Sequence, residues 1–495
     1  MSSVAESESS VRKAPRLPQK DLDLTTGPFL PKIIKYTLPI MATSLLQLLF
    51  NAADLVVVGQ YCGDLYVGAV GATSALINLM VNLFIGLSVG AGVAVAHGIG
   101  AEDNESVHRV IHTAIPTALI SGAVLTVVGI LASRQFLIWM GTPDEALELS
   151  AVYLRIYFAG IIPILLYNYG ASILRASGDT RSPLIFLSIA GVLNVLINIL
   201  LVTAFKMNVD GVALATVISQ TAACALVLSE LHRRRDACRL QFRKLRIYKK
   251  SLLEMLRIGL PAGLQGSLFS ISNVIIQSSV NSFGPFVLNG NTASASIEGF
   301  VWVSMNAFHQ AAMNFTSQNL GAKKYRNVVR IMKICLISVT VTGLVLGTVV
   351  NLLGRPLLSL YLTDASQLTY DAGLERMRMV VTLYFLCGIM DTMTGTLRGL
   401  GVSISPMLIT VLGVCGSRLL WIFTAFQLPE FHSMTWLMVT YPVSWFLTFL
   451  AEVVCFLIVW KRIRPPDLPP DGPQDLSSDA SRDDTADDPQ DLPVT

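Results

Sequence analysis

Asp54 is a carboxylate inside a long apolar stretch, residues 33–59. Ionisable side chains at membrane depth are energetically unfavourable, so each one is a candidate functional group. Asn198 lies near the end of another apolar stretch, Thr216 near the start of the next, and Asn194 one helical turn from Asn198. At 1.5 Å per helical residue, Asp54, Asn198 and Thr216 each lie about five residues, or roughly 7–8 Å, below the same membrane surface.

These four side chains predict a small polar site that could do cation chemistry. Their oxygens suit a hard cation, or they could hydrogen-bond a protonated carboxyl group. Two other interpretations stay open. Asp54 could be a helix-end carboxylate wetted by solvent, and the two asparagines could simply hydrogen-bond neighbouring helices.

Membrane-spanning helices must position these groups. The 495 residues are 53% hydrophobic and 14% charged, whereas soluble domains are about 25% charged. The apolar runs are continuous, reach the roughly 20 residues that a bilayer requires, and lack the alternation of a β-barrel. Twelve spans are predicted, at residues 33–59, 66–97, 107–133, 151–173, 182–204, 211–231, 252–280, 287–318, 327–353, 372–396, 405–427 and 435–460.

Positive charge indicates how the chain lies in the membrane. Lys and Arg concentrate in residues 232–250, 321–326 and 461–464, whereas the loops on the opposite face carry almost none. Because basic loops stay in the cytoplasm, both termini are predicted to be cytoplasmic, in a multi-pass protein of the inner (plasma) membrane. Binding of nucleic acid by the basic loop is disfavoured by its position between two spans.

Composition divides the chain into five regions. Residues 1–31 are polar and predicted to be disordered. Two six-helix lobes follow, at residues 32–231 and 251–462, joined by the basic cytoplasmic linker 232–250. Residues 463–495 contain nine Asp and no aromatic residue, which predicts an acidic, disordered tail.

The two lobes are an internal repeat. Pro39 matches Pro261, the segment Ile99–Ala101 matches Leu320–Ala322, and the LRASG motif at 174–178 matches LRGLG at 397–401, all at offsets between 221 and 223. An even number of spans per copy makes the copies parallel in the membrane. Such repeats are typical of transporters that move substrate between their halves.

These motifs resemble the MATE (multidrug and toxic compound extrusion) family. The likeness is carried by Pro39, the segment Asn51–Gly59, the motif that begins at Leu174, and Gln318–Ala322 in the second half. It covers about residues 30–460 and is nearest to the bacterial branch that includes Firmicute drug exporters. The resemblance implies proton- or sodium-driven export of bulky, often cationic compounds.

The resemblance also bears on the coupling ion. Asp54, Asn194, Asn198 and Thr216 match positions of a cation site carried by family members, but the family commonly has an acid where this chain has Asn198. Because sodium gains most from anionic ligands, the missing charge favours a proton over Na⁺. Pro39 is expected to kink the first span, as a hinge or as a simple entry bend.

The second lobe has its own polar residues within predicted spans. Glu298 and Arg418 lie at similar depths, which predicts an ion pair with a structural or gating role. Asp391 lies nearer the cytoplasm in the tenth span. His309 belongs to a polar stripe that either lines the cavity or binds neighbouring helices. Arg418 is the only Lys or Arg interpreted as deep in a span.

The sequence therefore predicts an all-α membrane protein, with twelve transmembrane helices in two parallel-repeat bundles, that acts as a monomeric, cation-coupled antiporter of drug-like molecules. Membrane lipids are its other expected partners. One alternative is a lipid-linked glycan flippase of the same superfamily, which would need several buried Arg or Lys residues for pyrophosphate. A membrane enzyme or a channel is the other. No HExxH, GxSxG or Cys–His grouping supports an enzyme, a metal site or a cofactor beyond the coupling ion.

Overall fold

The computed structural model describes residues 21–62, 64–362 and 366–465, and within these ranges the chain is helical, without strands. The first half forms α1 (Phe29–Tyr61), α2 (Asp64–Gly100), α3 (Asn104–Trp139), α4 (Asp144–Ala159), α5 (Ile161–Ala176), α6 (Arg181–Thr203) and α7 (Val209–Arg233). The second half forms α8 (Lys249–Asn281), α9 (Pro285–Gly321), α10 (Tyr325–Leu352), α11 (Gly354–Ser359), α12 (Gln367–Arg376), α13 (Phe385–Gly399), α14 (Ile404–Thr410), α15 (Ser417–Phe423) and α16 (Met434–Ile463). We call α1–α7 the N-lobe and α8–α16 the C-lobe.

The helices combine into twelve spans, as predicted. In the described ranges, eight helices are long and apolar enough to cross a membrane, and two bent pairs bring the number to ten. The other two spans are α8 and α9, which are 33 and 37 residues long but more polar. Polar residues are tolerated there because these helices pack against the N-lobe helix α2, and α9 is largely buried within the protein.

Two spans predicted to be continuous are broken. The fourth span bends by 50° between α4 and α5, and the tenth bends by 43° between the π-helical segment Met377–Val381 and α13. A second π-helical segment, Val411–Gly416, lies inside the eleventh span between α14 and α15. Apolar periodicity does not reveal such breaks, because apolar residues continue through each of them.

Backbone conformation repeats along with the sequence. Glu102 and Lys323 both have a φ of 56°, and Gly178 and Gly401 have φ values of 99° and 82°. Each pair occupies matching turns at the same end of the two lobes. The bend in the fourth span of each lobe, at α4–α5 and at α12–α13, extends the correspondence to tertiary structure.

The lobes meet through close packing of α2 on α8. A Cβ added to Gly259 would lie 2.6 Å from the Leu87 Cα atom and 2.8 Å from the Gly86 carbonyl oxygen, so only glycine fits there. Hydrogen bonds between the lobes, among described residues, extend away from the end with the termini as far as two contacts of α2 with α8. Asn82 bonds to Ser270 (3.5 Å), and Ser267 donates to the Leu79 carbonyl. The lobes are therefore joined only along the half that carries the chain termini.

The segment before α1 fastens the same end. Asp21 accepts two hydrogen bonds of 2.8 Å from Arg234 in the N-lobe, and Leu24 is fully buried. On the C-lobe side, Asn319 donates to the Leu24 carbonyl (2.8 Å) and Lys324 to the Thr25 carbonyl (3.1 Å). The prediction of disorder over 1–31 is therefore wrong for residues 21–31, because polar contacts to both lobes hold a segment that has little apolar content. Residues 1–20 lie outside the described ranges, as do residues 466–495 of the predicted tail.

The predicted linker 232–250 packs against the start of α3. The backbone N–H of Gln241 donates to His112 Nε2 (3.1 Å), and the N–H of Tyr248 donates to Thr113 Oγ1 (3.1 Å). Cys238 and Leu240 of the linker are buried. The connection between the lobes is thus an ordered part of the N-lobe surface.

Replacing Gly259 with Val should loosen the junction between the lobes. The added side chain would meet helix backbone, which cannot move aside as a side chain can, so a loss of about 2 kcal/mol is expected. The thermal unfolding midpoint of the purified protein measures this effect. Gly299→Val in α9 is the matched control, because a Cβ at Gly299 meets nothing within 4 Å. Equal unfolding midpoints for the two variants would contradict the assignment of this junction.

Candidate functional site

The four polar residues predicted in the first half come together between α1, α6 and α7. Asn198 Nδ2 donates to Asp54 Oδ1 across 2.5 Å, and Asn194 Nδ2 lies 3.4 Å from Thr216 Oγ1. Asn198 is fully buried and Asn194 is 5% exposed. The structure thus agrees with the predicted convergence and arranges it as two hydrogen-bonded pairs along one face of α6.

Close approach of α1 to α6 makes the pairing possible. Gly191 lies three residues before Asn194 on the same face of α6, and the ring of Phe50 in α1 occupies the space where a Cβ of Gly191 would be. Phe50 is one helical turn before Asp54, so this contact brings the Asp54 carboxylate within reach of Asn198. One glycine therefore sets the distance between the helices that carry the site.

Oxygen atoms without a hydrogen-bond partner determine what the site can bind. Thr216 donates its hydroxyl proton to the Val212 carbonyl (3.1 Å), which leaves a lone pair free to accept from Asn194. The Oδ1 atoms of Asn194 and Asn198 are buried without a hydrogen-bond partner. No ion pair to Asp54 occurs among the residues that the structure describes. One carboxylate and two unpaired amide oxygens form a site that can take up a proton or a small hard cation.

The predicted ion pair between Glu298 and Arg418 is wrong. Glu298 Oε2 instead accepts from Arg376 of α12, at 2.6 Å from one guanidinium nitrogen and 3.1 Å from another. Arg418 donates from Nε to Ser444 Oγ (2.9 Å) and lies 4.0 Å from the ring centre of Tyr441. Similar depth along two spans does not specify which helix face a side chain occupies, and Arg376 belongs to the tenth span, whose bend the sequence did not reveal.

Asp391 and His309 lie at one contact between α9 and α13. His309 Nδ1 is 2.6 Å from the backbone carbonyl oxygen of Asp391, so this nitrogen carries the proton and the Asp391 carboxylate is not its partner. Gly395 allows the approach, since its missing side chain leaves room for the His309 backbone. His309 is buried, which favours the interpretation that it binds a neighbouring helix.

Three buried charged residues were missed from the sequence. Arg376 was not recognised in the tenth span. Arg398, which donates to Gln265 (2.7 Å), was treated only as part of a motif. Glu452 is fully buried in α16 and was overlooked, although the rule that found Asp54, an acid within an apolar run, identifies it too. Arg418 is therefore not the only deep basic residue.

Pro39 lies between the part of α1 that packs in the C-lobe and the part that packs against the N-lobe. Residues before it, including Ile33 and Tyr36, are buried in the main core cluster of the C-lobe, whereas the part that carries Asp54 packs against α6 of the N-lobe. Helix α1 remains continuous from Phe29 to Tyr61 across the proline. A hinge at Pro39 would let the half of α1 that carries Asp54 move independently of the half held by the C-lobe.

Comparison with protein families gives one match to both halves of the chain. The family described as MatE matches residues 39–200 and again residues 261–423. The double match supports the internal repeat found in the sequence and in the backbone conformations.

Several characterised or named proteins are similar along most of the chain. The probable multidrug resistance protein YoeA of Bacillus subtilis (strain 168) is 26% identical over 440 residues, which cover 86% of this chain and 93% of that protein. The probable multidrug resistance protein NorM of Thermotoga maritima is 24% identical, covering 78% and 84%. The multidrug export protein MepA of Staphylococcus saprophyticus is 22% identical, covering 74% and 81%.

Solved structures share the fold. One is described as the outward-facing conformation of a multidrug resistance MATE family transporter of the MOP superfamily. It is similar with a TM-score of 0.80 at 22% identity, covering 90% of this chain and 99% of that one. A MOP superfamily transporter from Pyrococcus furiosus, described as having a binding pocket of reverse polarity, is similar with a TM-score of 0.81 at 22% identity and the same coverage.

Breaking the Glu298–Arg376 pair should destabilise the protein strongly. Glu298→Gln or Arg376→Gln leaves one buried group without its partner, at a cost of about 3 kcal/mol, and the double variant should recover part of that loss. Thermal unfolding of the four proteins gives the coupling energy. The matched cycle of Glu298→Gln with Arg418→Gln should give a smaller coupling energy, because Arg418 is linked to the pair through the Tyr441 ring that it shares with Arg376. Coupling of Glu298 to Arg418 rather than to Arg376 would refute the pairing seen here.

Proposed function

Because the chain belongs to the MatE family, we propose that it is a membrane antiporter that exports drug-like organic compounds in exchange for a cation bound at Asp54. Its relatives over most of its length are named as multidrug resistance or export proteins, so it is a transporter rather than an enzyme. The observation that carries the proposal is the Asp54 carboxylate, held by the Asn198 amide (2.5 Å) beside two unpaired amide oxygens.

Alternating access requires the lobes to close at one end at a time. Here they are joined by hydrogen bonds and helix packing at the end with the termini, from Asn82 and Ser270 inwards. With both termini in the cytoplasm of a plasma-membrane protein, this arrangement corresponds to an outward-facing state.

Neutralising Asp54 would supply the coupling step. A cation entering from outside removes the only charge of the site, so the half of α1 after Pro39 can repack against α6. Movement of that half changes the wall of the cavity between the lobes and lowers the affinity for the compound, which leaves to the outside. Import of one charge across 100 mV supplies about 2.3 kcal/mol to the cycle.

A proton is the proposed coupling ion. Asp54 is the single carboxylate of the site, and the other three residues of the site, Asn194, Asn198 and Thr216, are neutral. One carboxylate suffices for a proton, whereas sodium gains most from several anionic ligands. The unpaired oxygens of Asn194 and Asn198 favour sodium as the second candidate, since they could complete its coordination.

The glycan flippase alternative is weakened by how the buried arginines are engaged. Arg376 binds Glu298, Arg398 binds Gln265, and Arg418 binds Ser444 and the ring of Tyr441. Each of these guanidinium groups has a partner within the C-lobe, and the two nitrogens that lack one, Arg398 Nε and Arg418 Nη2, are buried. None of the three is therefore presented as an exposed pyrophosphate ligand. Small organic molecules and membrane lipids remain the proposed partners, with the monomer as the functional unit.

Asp54→Asn should abolish cation-coupled efflux while leaving the fold intact, because an amide fills the same space but cannot take up a proton. Export of ethidium from cells that express the variant at wild-type levels measures the effect. Asp144→Asn is the control, since Asp144 is an exposed acid at the start of α4. Efflux by Asp54→Asn at the level of Asp144→Asn would exclude Asp54 from coupling.

The ion can be identified in vesicles that contain the purified protein. An imposed pH gradient should drive ethidium transport, and a sodium gradient should not when pH is clamped and a protonophore is present. Asn198→Asp should raise the response to sodium, because it adds a second anionic ligand beside Asp54. Sodium-driven transport by the unmodified protein would overturn proton coupling.

A further inference from the structure

Glu452 is an acid buried at the centre of the C-lobe. It lies eleven residues before the end of α16, or about 16 Å along the helix. Its side chain is fully buried, and its Oε1 atom contacts Thr394 Oγ1 of α13 (2.5 Å) and Thr410 Oγ1 of α14 (3.0 Å). The carboxyl group therefore joins three spans of the lobe.

Counting hydrogen atoms favours a protonated carboxyl group at Glu452. Thr410 has one hydroxyl proton, which it gives to the Pro406 carbonyl at 2.6 Å, the shorter of its two contacts. The 3.0 Å contact between Thr410 Oγ1 and Glu452 Oε1 then has no proton from the threonine side. A proton on Glu452 completes it, with Thr394 donating to the same oxygen.

The second carboxyl oxygen points to the same conclusion. Glu452 Oε2 is buried without a hydrogen-bond partner. The charged or titratable groups that act on Glu452 are Asp391 and Arg398 of α13 and Cys455 of α16, and no ion pair joins any of them to it in the described ranges. An ionised carboxylate with one unsolvated oxygen and no counter-ion is far more unfavourable than a neutral acid.

The surroundings of Glu452 can respond to its ionisation. The Thr448 hydroxyl, one turn before Glu452, is buried without a partner and lies where a Cβ of Gly413 would be. Gly413 belongs to the π-helical segment Val411–Gly416, an irregularity of the kind often found at functional sites. Loss of the Glu452 proton removes the bond to Thr410 that joins α16 to α14.

We propose that Glu452 is a second proton-binding site, in the C-lobe, whose proton is bound in the conformation described here and released in the opposite one. This inference rests on the proposed antiport function and extends it, since each lobe then carries one protonatable acid. Release of the proton would separate α14 from α16 and change the packing of the C-lobe during the cycle.

Infrared spectroscopy tests the bound proton without requiring transport. In the Asp54→Asn background, the purified protein should show a protonated carboxyl band that disappears when Glu452→Gln is added. Glu375→Gln is the matched control, because Glu375 also accepts from a threonine of α16, Thr435 (2.6 Å), but is only partly buried. Identical spectra with and without Glu452 would overturn the proposal.

Transport tests the release of the proton. A glutamine at 452 keeps the size and the neutral charge of the protonated acid, and its amide NH2 can donate to Thr410 although it cannot accept from Thr394. Glu452→Gln should therefore fold and bind ethidium but lose proton-driven efflux. Efflux and its pH profile unchanged from the wild type would show a permanent, structural proton and overturn the proposal.

A second variant keeps the test decisive if Glu452→Gln does not fold. Thr410→Val should then shift the infrared band of the protonated Glu452 carboxyl group, and an unshifted band would also overturn the proposal. Because Asp54→Asn is assayed alone, failure at Asp54 is distinguishable from failure at Glu452.

Discussion

Direct contact between the backbones of α2 and α8 is the constraint on which the rest of the structure depends. Gly86 and Gly90 face Gly259 and Gly263, and side chains at these positions would force the helices apart. Because the lobes meet this closely at one end, hydrogen bonds can form across the same end, such as Ser317 to the Val93 carbonyl (2.9 Å). The hydrogen bonds that join the lobes in the described ranges lie in this half. A junction of this kind holds the two lobes together at that end.

Buried basic and buried acidic residues have different kinds of hydrogen-bond partner. The arginines of the C-lobe interior have polar or acidic partners from other spans, as Arg376 has in Glu298 and Arg398 in Gln265. Asp54 and Glu452 have only neutral hydrogen-bond partners among the described residues. A permanently charged guanidinium must be paired to be buried, whereas a carboxyl group can be buried as a neutral acid. The unpaired acids are therefore the groups suited to change state during a cycle.

The repeat duplicates the scaffold but not the chemistry. On the register that aligns Pro39 with Pro261, the counterpart of Asp54 is Ile276, which is 3% exposed in the C-lobe core. On the register of Pro183 and Pro406, Asn198 corresponds to Trp421. Equivalent turns and bends persist in both lobes because they determine helix packing. The polar residues of the N-lobe site are not repeated at the matching positions of the C-lobe.

The sequence by itself determined the twelve spans, the repeat and the convergence of Asp54 with Asn198, because apolar length and depth along a helix follow from residue spacing. It also contained the signal for Glu452, an acid in an apolar run. Only the tertiary structure decided which helix face each side chain occupies, and so that Glu298 pairs with Arg376 rather than with Arg418. It also decided the breaks in two spans and the anchoring of residues 21–28. Helix rotation, bending and the docking of polar segments depend on contacts between residues distant in the chain, and no local periodicity encodes those contacts.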